Sequence, residues 1–223
     1  PIPALFPCDI ASWPFKRHAG ATAADIALTL AGTKYTSRGS VVITHTGLSG
    51  PAMLRLSSWA ARYYADNKYT VPLTIRWLPD LSHQDIYEKL LTLKSRDGNK
   101  KFSTTPPTSL PSSLWQQLAR NAGIDTTARC STLTKKSLAA FADLLIHDTY
   151  TIRGRSSHKG EFVTCGGIAL KEISLSTMES KICPNLYFAG EILDIDGETG
   201  GYNLQNAWST GWIAGNAIGE KIS

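Results

Sequence analysis

The residues best suited to chemistry lie together near the C-terminal end of the chain. Residues 186–207 read LYFAGEILDIDGETGGYNLQNA. The pattern is an apolar run of buried-strand type, an acidic loop, a double glycine and then a helix. Gly200 and Gly201 remove side chains where a ligand or another backbone must come close. The helix that follows presents unpaired N–H groups and a partial positive charge at Tyr202, Asn203 and Leu204. Such an end suits a phosphate, or a ligand carbonyl on which negative charge accumulates. Carboxylates at the strand end can accept hydrogen bonds from sugar hydroxyls. The bland alternative is a glycine-rich strand–loop–helix corner with no ligand. Within the helix, Ala207, Gly211, Gly215 and Gly219 recur every four residues. Glycine costs roughly 1 kcal/mol per helical position relative to alanine, so the stripe implies close packing against a sheet or a second helix.

Two other stretches compete for attention. Residues 44–52, THTGLSGPA, end a strand, turn on glycines and place Pro51 at the start of a helix. The segment is superficially like a nucleophile elbow, but Pro51 stands where G-x-S-x-G requires its last glycine, so no hydrolase is expected. His45 there is either an acid–base group or a residue that structures the turn. Residues 162–168, FVTCGGI, put two glycines after a strand, which permits close backbone approach. Cys165 has no partner cysteine nearby and reads as a buried, inert thiol.

These segments need elements to hold them. Residues 1–80 are strand-rich: 24–30 alternates at period two, Gly32 marks a turn, 39–45 is β-branched, and 70–77 is a strand that Pro72 pushes toward an edge or a bulge. Residues 82–149 are helical. Ser82 and Asp85 have capping-box spacing before Ile86, Leu90 and Leu93. After Pro111, a second helix carries Leu114, Trp115 and Leu118 and ends near Gly123. A third starts at Thr134 and presents Leu138, Phe141, Leu144 and Leu145 on one face. Strands resume at 150–153, 161–164 and 185–190.

Composition narrows the class. The chain has 223 residues, 42% of them hydrophobic, enough for one large or two small cores. No apolar run approaches the roughly 18 residues needed to span a bilayer, so no membrane partner and a cytoplasmic location are expected. The net charge of +5 permits anionic ligands without specifying one. The densest basic run, 94–101, surrounds an Asp-Gly turn and reads as a solvated loop, so no nucleic-acid partner is expected. Cys8, Cys130, Cys165 and Cys183 are far apart, which argues against a disulfide framework or a zinc site, and no metal is expected.

Taken in order, THTGLSGPA, VTCGGI followed by STMESK, and LYFAGEILDIDGETGGYNLQNAWSTGWIAG resemble the BaiN/YhiN family of FAD-dependent flavoproteins, which includes aminoacetone oxidase-like enzymes. The opening residues Pro3 to Pro7 resemble that family's entry into its inserted domain. The resemblance implies an α+β fold. An inserted β-barrel would occupy 1–80 and 148–163, with a three-helix subdomain at 81–147. The C-terminal part of a Rossmann-like FAD-binding domain would run from 164 to 223. It implies that Gly190 and Glu191 lie near the ribityl and phosphate region, and that Gly200, Gly201, Tyr202, Asn203 and Leu204 lie near the isoalloxazine ring. The family's G-x-G-x-x-G unit for the pyrophosphate does not occur in these residues. By the resemblance it precedes Pro1, so FAD is expected of the full-length protein rather than of this chain alone.

The resemblance further implies hydride transfer between flavin and a small-molecule substrate, with NAD(P)H or oxygen as redox partner. It names no catalytic residue; His45 and Tyr202 are guesses. The competing reading is a non-enzymatic scaffold or binding module that pairs with a separate dinucleotide-binding chain.

Overall fold

A computed structural model describes residues 1–104, 106–156 and 163–222. The fold is mixed α+β, built on a closed barrel of six strands with six helices among the described residues. In chain order the elements begin with β1 (Ile2–Ala4), β2 (Cys8–Ile10), β3 (Thr22–Leu30), β4 (Thr36–Ile43) and β5 (Gly47–Ser49). Helices α1 (Pro51–Trp59) and α2 (Ala61–Asp66) follow, then β6 (Thr70–Arg76). Three helices come next, α3 (His83–Arg96), α4 (Ser112–Asn121) and α5 (Lys135–Ile146), and then β7 (Asp148–Arg155). The last elements are β8 (Val163–Cys165), β9 (Ile173–Ser174), β10 (Glu179–Ser180) and α6 (Tyr202–Ile222).

The barrel closes in the order β2-β5-β4-β3-β6-β7, with β7 returning to β2. Alternation places Ile26, Leu28, Leu30, Val71, Leu73, Ile75 and Ile152 inside, all essentially inaccessible to solvent. Closure leaves β6 without a free edge, so Pro72 is not at an edge as its type suggests. It pairs with Thr151 on β7, and its carbonyl accepts from Ala31 N at 2.9 Å. A residue's imino nitrogen and carbonyl point the same way in a strand. The missing N–H therefore faces the hairpin turn beyond Leu30, the last β3 residue in the ladder with β6.

The helices follow their local signals. Ser82 Oγ accepts from Asp85 N at 3.1 Å and Asp85 Oδ2 accepts from Ser82 N at 2.9 Å, completing the capping box. At the end of α4, Gly123 (φ +74°) donates to Arg120 O and Ile124 donates to Ala119 O. These bonds satisfy two orphan carbonyls in a Schellman arrangement. Trp115, Phe102 and Phe141 meet in the middle of this layer, with ring centroids 4.8–5.5 Å apart. The chain leaves the barrel at Trp77 and re-enters at Asp148, and these two residues are bonded, Trp77 Nε1 donating to Asp148 Oδ2 at 2.9 Å.

Residues 185–190 are not a strand. Leu186 is exposed, and the run makes one isolated bridge, Glu179 to Tyr187, with Phe188 N donating to Met178 O. An apolar run becomes a buried strand when ladders flank it; among the described residues only 178–180 lie alongside. The strand expected at 161–164 begins at Val163, and Glu161 and Phe162 lie outside the described residues.

Candidate functional site

A cavity of about 430 Å³ lies between the barrel's first residues and the C-terminal segment. Leu5 and Val163 wall it on the barrel side. Glu191, Ile195 and Glu198 come from the acidic loop, and Gly200, Gly201, Asn203 and Leu204 from the start of α6. Five of the seven residues singled out by sequence are thus brought to one cavity. Gly190 and Tyr202 are not on its walls. Tyr202 is 64% exposed, with its ring edge over Gly200.

Short backbone contacts position the walls. β1 pairs antiparallel with β8, setting Ala4 opposite Val163. Just beyond β8, a Cβ on Gly167 would overlap the backbone of Ile192 and Leu193, so only glycine fits. This close approach lets Ile168 N donate to Ile192 O at 2.8 Å and Asp194 N donate to Ile168 O at 3.1 Å. Leu193 is then buried with Ile173, Met178 and Ala214, which pins the acidic loop to α6. Gly190, at φ +73°, donates its N–H to Thr210 Oγ1 at 2.9 Å, tying the loop's other end to the same helix.

Each carboxylate of the loop is engaged by the chain. Glu191 Oε1 accepts from Thr164 N at 2.7 Å, and Glu198 Oε1 accepts from Trp59 Nε1 at 2.8 Å. Asp194 sits 3.5 Å from Arg62 Nη2. Burial raises the Asp196 carboxyl, opposed by a hydrogen bond from Cys165. Burial, and then the charge of Asp196, likewise raise the Cys165 thiol, which keeps it in its unreactive form. Trp59 and Arg62 were not foreseen from sequence; they sit on α1 and α2, and nothing local marks them as partners of a loop more than a hundred residues away.

The start of α6 is open on the cavity side. Gly200 and Gly201 have φ of +114° and +87°, conformations that favour glycine. Asn203 clips the loop: its Oδ1 accepts from Gly197 N at 2.8 Å and its Nδ2 donates to Gly197 O at 3.0 Å. The first helical donor with a carbonyl partner among the described residues is Gln205, to Gly201 O at 2.9 Å. The N–H groups of Tyr202, Asn203 and Leu204 therefore remain available to a ligand. A cavity of this size lies in the range that holds a planar cofactor or substrate. Its apolar walls, glycine cradle and helix N-terminus suit a planar ring with an electron-rich edge.

Other sequence candidates fall elsewhere. His45 is exposed on a separate barrel groove with Asp9, Trp13, Lys16 and Arg153. The basic run at 94–101 is partly neutralised, since Asp97 pairs with Arg96 at 2.9 Å and Lys100 at 2.8 Å. The glycine stripe of α6 finds no close packing here: a Cβ on Gly211 or Gly215 would meet nothing within 4 Å. The same helix exposes Trp208 and Trp212 by 73% and 74%.

A family model described as HI0933-like protein barrel and H2TH domain matches residues 2–163. Among curated proteins, the chain is 32% identical to a ribosomal RNA dihydrouridine synthase of Escherichia coli, over 83% of this chain and 44% of that protein. It is 30% identical to a ribosomal RNA dihydrouridine synthase of Haemophilus influenzae, over 81% of this chain and 42% of that protein. It is 26% identical to a 3-dehydro-bile acid delta(4,6)-reductase of Clostridium scindens, over 99% of this chain and 54% of that protein. The chain thus spans about half the length of the curated relatives it matches.

Proposed function

We propose, since this chain belongs to the HI0933-like barrel and H2TH domain family, that it is the C-terminal portion of an FAD-dependent oxidoreductase of the BaiN/YhiN kind. In this reading the barrel is formed by 1–80 and 148–163, the helical subdomain by 81–147, and the C-terminal part of the FAD domain by 164–223. A cytoplasmic location goes with it, where NAD(P)H and reduced thiols coexist. The observation that carries the reading is the cavity at the start of α6, where Glu191, Gly200, Gly201, Asn203 and Leu204 converge on an open helix N-terminus.

FAD, when bound, exchanges a hydride with the substrate and two electrons with NAD(P)H or oxygen. The chain's own residues do the rest. Gly200 and Gly201 would leave room for a ring edge, and the N–H groups of residues 202–204 would be available to stabilise negative charge that develops on a ligand carbonyl. Asn203 keeps the loop in register, Glu191 offers its second oxygen to a hydroxyl, and Leu5, Val163, Ile195 and Leu204 exclude water.

Two substrate classes fit. A dihydrouridine product and a delta(4,6)-reduction share one chemistry, hydride addition to a carbon–carbon double bond, followed by a proton. We favour a uridine in RNA over a small organic acceptor. Two relatives carry that name at 32% and 30% identity, and the chain is basic, with pI near 9.0. This departs from the sequence expectation of a small-molecule substrate and no nucleic acid. The protein expressed at the full length of its gene should be yellow and should consume NAD(P)H faster when ribosomal RNA lacking the modification is added. Colourless protein after incubation with FAD would overturn the flavin reading. Stimulation by a small enone and not by RNA would select the other substrate class.

A further inference from the structure

The outer face of β7 and the groove beside β2 carry positive charge that the proposed function does not use. Burial alternates along β7, so Thr149, Thr151, Arg153 and Arg155 face outward while Ile152 is inside. Arg153 and Arg155 are both exposed and stand roughly 6.6 Å apart along the strand, and Arg155 lies over the Tyr69 ring, 5.9 Å from its centroid. Arg153 also lines a groove of about 580 Å³ with Ser12, Lys16, His45 and Thr46. Arg17 and His18 follow Lys16 in the same short turn. The one carboxylate on the groove walls, Asp9, is engaged by the Thr46 hydroxyl at 2.5 Å. No ion pair involves Lys16, Arg17 or Arg153 among the described residues.

Aromatic packing and a hydrogen bond support the groove from below. Trp13, buried in its floor, donates from Nε1 to Thr44 O at 3.2 Å and packs against Phe15 and Tyr150. Ser12 is held at φ +51° on the wall, a conformation that costs a non-glycine residue about 1 kcal/mol.

The direction of this charge matters most. Arg155 pairs with Cys8, and Ser156 N donates to Pro7 O at 2.8 Å. The line from Arg153 to Arg155 therefore runs beside the chain from Ile10 back to Leu5, and Leu5 walls the candidate flavin cavity. From Asp9 to Leu5 the chain can span at most about 14 Å. We propose that Lys16 and Arg153 hold the phosphate backbone of RNA on a line that β7 continues toward Leu5, while one extruded pyrimidine reaches the cavity there. The inference rests on the reading of RNA as substrate.

The test uses the full-length flavoprotein and a transcript of ribosomal RNA, with binding followed by fluorescence anisotropy across a salt series. Wild type is compared with Lys16→Ala/Arg153→Ala and with Lys16→Glu/Arg153→Glu. Flavin content and thermal midpoint serve as controls for folding. Loss of two phosphate contacts should flatten the slope of log K against log salt by roughly 1.4–1.8, and charge reversal should weaken binding at least tenfold. Wild type that shows no salt-dependent RNA binding would overturn the RNA reading itself. Wild type that binds, with both variants binding equally well on the same slope, would overturn that placement of the backbone and leave the substrate class standing. Equal loss by the variants of binding to anionic phospholipid vesicles, with RNA binding intact, would also overturn it.

Discussion

Asp148 is the most exposed point of the fold's energetics to a simple experiment. It opens β7 where the chain returns from the helices, and the residue is 7% exposed. Oδ2 accepts from Trp77 Nε1 at 2.9 Å and from Tyr150 OH at 3.0 Å, and Tyr150 OH in turn accepts from Asn121 Nδ2 at 3.3 Å. One carboxylate therefore joins the exit from the barrel, the re-entry and α4. Burial raises its pKa from 3.8 to about 6, against the two hydrogen bonds that lower it. A shift of that size is worth roughly 3 kcal/mol between the two protonation states.

The sign follows from proton counting. Between about pH 4 and 6 the folded chain holds a proton at Asp148 that the unfolded chain has released. Stability from this group is complete below the unfolded value, falls as pH rises through the window and levels off above about 6. Asp148→Asn keeps an acceptor for both donors and removes the charge. It should raise stability at pH 7 by about 1–3 kcal/mol, or several degrees in Tm, and should remove that fall. Asp148→Ala leaves the indole N–H and the phenol without their acceptor and should cost about 2–4 kcal/mol. Thermal unfolding at pH 4, 5, 6 and 7, compared as variant minus wild type, cancels the other carboxylates. An Asn variant less stable than wild type at pH 7, or with an unchanged difference from pH 4 to 7, would refute the reasoning.

Gly167→Ala should loosen the acidic loop, because its Cβ meets backbone at Ile192 and Leu193 that cannot move aside; limited proteolysis should cut near 190–200 faster, with flavin lost from the full-length protein. Asn203→Ala removes two hydrogen bonds to Gly197, each worth about 1 kcal/mol, and should weaken FAD binding by roughly tenfold, read by flavin fluorescence on dilution. Iodoacetamide should label one thiol in the native protein, Cys183, because Cys8, Cys130 and Cys165 are buried and burial pushes the Cys8 thiol up to about 12; labelling of two or more before unfolding would contradict this packing.

The parts of this fold legible in sequence are those whose causes are local. The capping box at Ser82, the glycine end of α4, the alternation of β3 and the close approach at Gly166-Gly167 each follow from a few adjacent residues. What could not be read depends on partners distant in the chain. Pro72 misleads because an edge is a property of the sheet, and closing a barrel removes it. Residues 185–190 mislead because apolarity marks burial, while strand form also needs ladders alongside. Trp59 and Arg62 have ordinary sequence surroundings and acquire meaning only when α1 and α2 meet the acidic loop. Five of the seven candidate site residues converge because glycine and a helix start are local signals; the opposite wall, Leu5 and Val163, comes from a pairing of β1 with β8 that spans most of the chain.

The loop carboxylates bear on how the cavity works. Trp59 and Arg62 belong to helices packed on the barrel, whereas Glu198 and Asp194 belong to the segment that walls the cavity. The barrel therefore holds the cavity wall directly, through one hydrogen bond and one ion pair, both at the surface. Such contacts are worth about 1 kcal/mol or less each, too little to fix the loop alone and enough to bias it. Gly190, Leu193 and Asn203 anchor the loop to α6 more firmly, through hydrogen bonds between backbone and side chain and through burial. Anything that shifts the barrel relative to α6 should then strain the weaker pair first, opening the rim at Glu198 while the cradle at Gly200 and Gly201 keeps its shape.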